Sequence, residues 1–238
     1  MDERFMRAEA MLGRDAMNKL RSSRVAVVGL GGVGSWCAEA LARCGVGELI
    51  LLDQDKVSLS NRNRQLCALE ETVGISKTAV MAERIHSVNP DCRVTELAIR
   101  YDAENREKLF SLSPDYIVDA IDLVACKLDL IENALARNIP IISALGTGNK
   151  KDASMLRICD IGKTEGCPFA RVIRRELRRR GIPHLDVVFS AEEACDSEQQ
   201  EAPPPGRRSV PGSLVWVPAT AGMLLAQHVV LNIAEGGK

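Results

Sequence analysis

The sequence contains no C-x-x-C pair, although 8 cysteines are spread over its 238 residues. That absence argues against a zinc knuckle, which is built on paired thiolates. Cys37, Cys44, Cys67, Cys92, Cys126 and Cys159 sit inside apolar patterns and read as reduced core thiols, while Cys167 and Cys195 fall in expected loops. Aromatic residues make up 3% of the chain, so the core has to be aliphatic. The 3 histidines, His86, His184 and His228, stand in no motif that would supply a hydride-site acid or base. The formal net charge is −1, which predicts no global attraction to nucleic acid. The first residues, Met1-Asp2-Glu3-Arg4, are charged and lead into no apolar segment of a secretory signal, so the expected location is the cytoplasm. Ser209 to Ala234 carries no formal charge, but Pro211 and Pro218 interrupt it and Gln227, His228 and Asn232 lie in its second half. Its helical part, residues 219 to 233, falls short of the roughly 20 residues of a membrane span. The expectation is a buried C-terminal helix and no membrane insertion.

What the chain does have is concentrated at residues 24 to 35, Arg-Val-Ala-Val-Val-Gly-Leu-Gly-Gly-Val-Gly-Ser. A valine-rich run fits a strand buried on both faces. A G-x-G-x-x-G follows at Gly29, Gly31 and Gly34, and then a helical apolar period through Val33, Cys37, Leu41 and Cys44. Gly29 permits a tight turn, Gly31 lets backbone approach a phosphate, and Gly34 lets helix and strand pack closely. Asp53 follows about 19 residues later at the end of a second apolar run, where a carboxylate can accept from ribose hydroxyls. This unit specifies a nucleotide without saying which one.

The remaining chain alternates strand and helix. Residues 3 to 20 read as a helix with Met6, Ala10, Met17 and Leu20 on its apolar side and Arg4, Arg7 and Arg14 exposed. After the second strand, Asn61, Arg62, Asn63, Arg64 and Gln65 crowd donors into a short stretch that would suit a polyphosphate. Ser76 is a plausible N-cap for a helix through Val88. Lys77 then stands in the first turn, the unfavourable end of the dipole for a cation, a cost that a bound phosphate would offset. A third strand over residues 92 to 99, a helix over 102 to 112 and a fourth strand lead to Asp119 and Asp122. Two carboxylates at a strand's end are costly when buried unless paired or metal-bound, and oxygen ligands suit Mg²⁺; capping of the following helix is the simpler role for Asp122. That helix, residues 123 to 137, would face Leu128, Ile131 and Leu135 inward and lead to a fifth strand at 139 to 144. The pattern predicts an α/β fold of Rossmann-like, doubly wound type, with a mostly parallel sheet and a C-terminal extension of strands and helices.

Residues 169 to 180 form a further amphipathic helix. Arg171, Arg174, Arg175 and Arg178 make one stripe, continued by Arg179, and Phe169, Ile173 and Leu177 make another face. Residues 167 to 182 hold six arginines against Glu176, a net +5, so the rest of the chain sums to −6. A single-sign stripe on an otherwise acidic protein suggests a polyanion, and RNA fits; an inter-subunit ion-pair network is the rival. Residues 186 to 190 read as a last strand. Residues 191 to 211 lack periodicity and read as a mobile surface loop. No repeat and no linker divides residues 1 to 238, which are expected to form a single domain.

Five motifs in fixed order carry a resemblance: Gly29-x-Gly31-Gly32-Val-Gly34, Leu-Leu-Asp53-x-Asp55, Asn61-x-x-Arg64-Gln65, Gly74-x-x-Lys77, and Asp119-x-x-Asp122. Together they resemble the E1-like adenylating superfamily of ThiF, MoeB and HesA. Arg4-Phe5-x-Arg7, Asp119-Ala-Ile-Asp122 with Lys127, and matches from Lys163 to Ala219 extend the likeness to its tRNA-dehydratase branch. The resemblance implies an ATP-dependent ligase that activates the carboxylate of N6-threonylcarbamoyladenosine at position 37 of tRNA as an acyl-adenylate, then closes a ring with loss of water. It implies Asp53 on the ATP ribose, and Arg64 and Lys77 on phosphates as catalytic groups. Asp122 would be catalytic and the Mg²⁺ ligand. Gly29, Gly31, Gly32, Gly34, Asp55, Asn61 and Gln65 complete the nucleotide site, and Arg7 would reach the γ-phosphate across a homodimer. Arg171, Arg174, Arg175, Arg178 and Arg179 would grip tRNA. A monovalent cation, Na⁺ or K⁺, and a cysteine-desulfurase partner also come with the resemblance. Close relatives carry Asp before Pro168, where this chain has Cys167, so no general acid is assigned there. The alternatives are adenylation of a sulfur-carrier protein's C-terminus, which Cys167 and Cys195 would serve, an NAD-dependent oxidoreductase on the same fold, and a non-catalytic RNA-binding protein.

Overall fold

The computed structural model describes residues 2–198 and 210–236. Seven strands form one sheet: β1 (Arg24–Val28), β2 (Glu48–Leu52), β3 (Arg93–Leu97), β4 (Tyr116–Asp119), β5 (Ile141–Ala144), β6 (Leu156–Asp160) and β7 (Asp186–Ser190), in the spatial order 3-2-1-4-5-7-6. All neighbours are parallel except β6 and β7. The chain order reverses between β1 and β4, and a crevice opens there beyond the carboxyl ends of the strands, where open α/β sheets bind ligands.

Both faces of the sheet are covered, which is why its central strands are apolar on both sides. On β1, Val25 and Val27 face one core and Ala26 and Val28 the other. The first core is covered by α2 (Arg14–Ser22), α3 (Gly34–Arg43), α4 (Lys77–Val88) and α8 (Trp216–Glu235), which contribute Met17, Leu41, Met81 and Leu225. The second lies under α5 (Arg106–Phe110), α6 (Val124–Ala136) and α7 (Pro168–Arg179), with Leu109, Ile131 and Ile173. Helix α8 crosses α3 so closely that a Cβ on Gly222 would lie 2.4 Å from the Val33 carbonyl oxygen.

Several expectations require correction. The N-terminal helix is broken at Gly13, whose φ of 84° and ψ of 161° end α1 (Met6–Leu12) before α2 starts. Helix α1 buries no residue in this chain; Met6 and Ala10 are exposed and only Met17 and Leu20, on α2, enter the core. The helix expected over 102 to 112 shrinks to α5, because Asp102 turns its carboxylate onto the backbone N–H groups of Glu104 and Asn105. On α6, Leu128 and Ile131 point inward but Leu135 is 37% exposed. On α7, Ile173 and Leu177 are buried and Phe169 packs half-buried against the same core, and Ala170 joins them as an unexpected buried member. Cys167 lies in a loop as expected, at the N-cap position of α7, but it is buried there. The C-terminal helix is longer than expected, because Pro218 falls in its first turn, where a missing N–H costs nothing. Among the described residues α8 alone is long and apolar enough to cross a membrane, and it packs on α2, α3 and the sheet. Of the loop expected at 191 to 211, residues 199 to 209 lie outside the described residues; 191 to 198 and 210 to 211 carry no helix or strand.

Candidate active site

The crevice is a cleft of about 690 Å³. Its floor is the turn after β1. Gly29 adopts φ 94°, and a Cβ there would meet the Ala120 carbonyl oxygen at 2.8 Å, so only glycine fits. Gly31 faces open space, its nearest neighbour being Gln65 Nε2 at 3.9 Å from an ideal Cβ. A phosphate can therefore come against this backbone, as helix N-termini favour.

Asp53, at the end of β2, organises this turn. Its Oδ2 accepts from the Leu30 N–H at 2.6 Å and its Oδ1 from the Asp55 N–H at 2.8 Å. Burial pushes its pKa up, and the charge of Lys77 opposes that rise. Lys77 is itself buried, with Nζ 2.9 Å from Asp55 Oδ2 and 3.9 Å from Asp53 Oδ1. It is delivered there by a short antiparallel contact, in which Val57 donates to the Ile75 carbonyl and Lys77 N–H to the Asp55 carbonyl at 3.0 Å. The first turn of α4 thus holds a cation between two carboxylates at the edge of the cleft. At 4% exposure Lys77 is not a solvated surface lysine.

The donor-rich segment is folded onto α3. Ser58 and Asn61 cap a short 3₁₀ turn (Leu59–Asn61) reciprocally. Trp36 Nε1 donates to the Arg64 carbonyl at 3.1 Å and Leu66 N–H donates to Ser35 Oγ at 3.1 Å. The Arg64 guanidinium donates to the Ser60 carbonyl at 2.8 Å and lines the cleft. Opposite, Asp122 is exposed on the loop after β4, and the N-cap position of α6 falls on Leu123, so Asp122 does not cap that helix. Asp119 is not an open metal-site carboxylate: it is fully buried and its Oδ2 lies 2.7 Å from Lys127 Nζ.

Gly29, Gly31, Asp53, Asp55, Asn61, Arg64, Gln65, Lys77 and Asp122 are brought together around this cleft. Gly32 and Gly34 are not on its wall. A Cβ on Gly32 would meet Pro218 of α8 at 3.2 Å, and one on Gly34 would overlap the Gly29 carbonyl. Arg7 is exposed on α1, away from the lining of the cleft in its own chain. The structure adds Lys56, Ser58, Arg100, Tyr101, Ile121 and Cys126 to the wall. Arg100 and Tyr101 were findable in principle, because they follow a strand's carboxyl end; Cys126 reads in sequence as one more core thiol. Val28, Leu52, Ile99, Ile121 and Leu123 give the lining apolar surface suited to a base, in the same cleft as cations suited to phosphates.

A second, shallower depression of about 540 Å³ is lined by Arg171, Arg174, Arg175, Arg178 and Arg179 on α7. Arg174 is fixed by donating to the carbonyl and hydroxyl oxygens of Thr164. Glu176 pairs with Arg175, Arg179 and Arg180, so the stripe is partly neutralised along one flank.

Fold and cleft define an α/β protein of nucleotide-binding type, with buried and lining cations beside the glycine turn. The chain belongs to the ThiF family, whose profile matches residues 4–233. It is 40% identical over 244 residues to the tRNA threonylcarbamoyladenosine dehydratase of Bacillus subtilis, covering 99% of this chain and 96% of that protein. The crystal structure of Escherichia coli tRNA N6-threonylcarbamoyladenosine dehydratase, TcdA, in complex with ATP superposes with a TM-score of 0.88 at 34% identity, over 98% of this chain and 95% of that one. The sulfur carrier protein ThiS adenylyltransferase of Escherichia coli is 35% identical over 134 residues, 56% of this chain and 53% of that protein.

Proposed function

We propose that this chain is an ATP-dependent enzyme that dehydrates N6-threonylcarbamoyladenosine at position 37 of tRNA. The observation that carries this reading is the end-to-end likeness to dehydratases, 99% of the chain against 96% of a relative, where the sulfur-carrier enzyme matches only 56% of the chain. The cleft supports it chemically. The substrate carboxylate attacks the α-phosphorus of ATP, pyrophosphate leaves, and the acyl-adenylate forms. A nucleophile tethered in the same modification then attacks the activated carbonyl, and AMP departs with the former carboxylate oxygen, a net loss of water. Tethering supplies a high effective concentration, so no cysteine nucleophile is required.

Arg64 and Lys77 hold phosphates and stabilise the charge that develops as pyrophosphate departs. Asp53, through the Leu30 N–H, keeps the glycine turn shaped and faces the ribose. Asp122, exposed at the cleft, is the carboxylate that would hold Mg²⁺, which supplies Lewis-acid polarisation of phosphate oxygens. The arginines of α7 bind tRNA backbone. Arg7 completes the triphosphate site of a second copy in a homodimer, in keeping with its exposure on α1, a helix with no fully buried residue, only Ala8 and Leu12 half-buried against the core. Residues 1 to 238 act as one domain in the cytoplasm, where tRNA is; Na⁺ or K⁺ as an assisting ion, and a cysteine-desulfurase partner, are attached to no residue of this chain.

The test is nucleoside mass spectrometry after incubating the protein with ATP, Mg²⁺ and tRNA bearing threonylcarbamoyladenosine. ATP-dependent loss of one water, abolished in Asp122→Ala, is expected. An unchanged nucleoside, with pyrophosphate exchange driven by a carrier-protein C-terminal peptide, would overturn the reading in favour of the sulfur-carrier activity.

A further inference from the structure

Beneath the cleft lies a closed polar cluster that touches no solvent. Asp119, Lys127 and Ser143 are each 0% exposed. Lys127 Nζ donates to Asp119 Oδ2 at 2.7 Å, to Ser143 Oγ at 2.9 Å and to the Ala144 carbonyl at 3.0 Å, so all three ammonium hydrogens are placed. The Ser143 hydroxyl gives its own hydrogen to Asp119 Oδ2 at 2.6 Å. Burial lowers the Lys127 pKa, and the adjacent Asp119 charge opposes that. Such a pair gives little stability that well-packed apolar side chains would not give equally. Its position is more informative than its energy. It joins the ends of β4 and β5, beside the switch point between β1 and β4.

The other oxygen, Asp119 Oδ1, accepts from the Ile121 N–H at 3.0 Å. The β1–β4 ladder stops one residue earlier, where Ala120 N–H donates to the Val28 carbonyl at 2.9 Å. Oδ1 therefore takes over as acceptor where the sheet can no longer supply one, and the chain beyond is Ile121, Asp122 and Leu123, all on the cleft wall. We propose that Asp119, clamped by Lys127 and Ser143, is a positioning residue for the nucleotide-activating step: it sets the path of the 120–123 loop and so aims Asp122 into the cleft. The proposal rests on the role given to Asp122 under the proposed function.

Two double variants separate positioning from stability. Asp119→Asn/Lys127→Met and Asp119→Leu/Lys127→Met both remove the buried charges, but only Asn keeps a carbonyl acceptor for the Ile121 N–H. ATP consumption to AMP on modified tRNA is measured alongside melting temperature. The Asn double is expected to keep kcat within about fivefold of the parent, and the Leu double to lose about a hundredfold in kcat with little change in the KM for ATP, the size of effect a small misplacement produces. Equal kcat in the two doubles overturns the proposal. Asp119→Ala/Lys127→Ala serves as the acceptor-free variant if the Leu form does not fold. Hydrogen exchange of the 120–123 amides, which needs no activity, is expected to be faster without the acceptor; equal protection overturns the proposal. Loosened amides combined with full dehydration by Asp122→Ala would place the failure in the role of Asp122 and leave the anchor standing.

Discussion

Gly34 and Gly29 occupy what would be a single volume: an ideal Cβ on Gly34 lies 1.7 Å from the carbonyl oxygen of Gly29. The first turn of α3 is pressed directly onto the residue that ends β1, and no side chain can rotate away to relieve the overlap. Gly34→Ala is therefore expected to destabilise the protein by more than about 3 kcal/mol, the upper end for overpacking, because backbone has to move. Gly31→Ala is expected to fold with a melting temperature near that of the parent, since its Cβ would meet only the Gln65 amide at 3.9 Å. It should nonetheless bind ATP at least tenfold more weakly, because the methyl group occupies the approach to the backbone. Urea titration and calorimetric ATP binding on the two variants check this contrast.

Lys77→Met tests the cation between the two carboxylates. Its loss is expected to slow adenylation by about 10²–10³, the usual effect of removing one preorganised charge at a transferring phosphate. It also carries a pH signature. Burial already raises the Asp53 pKa, and Lys77 holds that rise in check. Without Lys77 the value climbs further, and the carboxylate that accepts from Leu30 protonates at a higher pH. The acid limb of residual ATP binding should thus move upward in the variant; an unmoved limb would contradict the assigned coupling.

The glycine turn and the two strands around it were legible in the sequence because their signal is local: a valine run, three glycines at fixed spacing, and a carboxylate at the next strand's end. The placement of Asn61, Arg64 and Gln65 at the cleft was legible for the same reason, whereas Arg62 pairs with Glu70 and Asn63 donates to the Ser213 carbonyl. Gly13 was not legible, because an isolated glycine inside a helical pattern costs only about 1 kcal/mol and need not end it. Nor was the pairing of Asp119 with Lys127 and Ser143, which depends on β5 lying beside β4. The face of α7 was read correctly at Ile173 and Leu177 but without Ala170, which is too small to announce itself as core beside Phe169, yet is fully buried. Arg100 and Tyr101 reach the cleft from the loop after β3, two strands away from the glycine turn, so only their place beyond a strand's carboxyl end, and no motif spacing, pointed to them.

Glu39 links two helices of the first layer. Its carboxylate, 5% exposed, accepts from Arg84 Nε at 3.0 Å on α4 and pairs with Arg43 at 2.6 Å on α3. Burial alone would raise its pKa, but the bonds from Arg84 and Arg43 outweigh it and hold the value below the ordinary glutamate range. A depressed folded pKa contributes stability that is present at neutral pH and is lost as pH falls through that lowered value. Glu39→Gln is expected to cost about 1 kcal/mol at neutral pH, where both guanidiniums are half in solvent. The difference between variant and parent should close on acidification into that range, as followed by urea midpoints across pH. A gap independent of pH would assign the loss to packing.

The α7 stripe distinguishes a fixed arginine from free-standing ones. Arg174 is tied to Thr164, whereas Arg171 and Arg178 are exposed. Arg178→Glu is expected to weaken tRNA binding and to reduce the slope of log affinity against log salt by about 1, with ATP affinity unchanged, because the removed contact is to a phosphate and releases a counterion. Arg174→Ala should weaken tRNA binding and also lower the melting temperature, because Thr164, the C-cap of the 3₁₀ turn Ile161–Lys163 before α7, loses the donor to its carbonyl. Filter binding of tRNA across a KCl series, read together with thermal melts, tests both. If Arg178→Glu leaves the affinity and its salt slope intact, the stripe is not the tRNA surface, and an ion-pair contact with a second protein chain becomes its explanation. The acidic remainder of the chain, −6 once the arginine segment is set aside, makes that outcome easy to recognise: a like chain would then offer the complementary charge, and self-association would weaken as salt is raised.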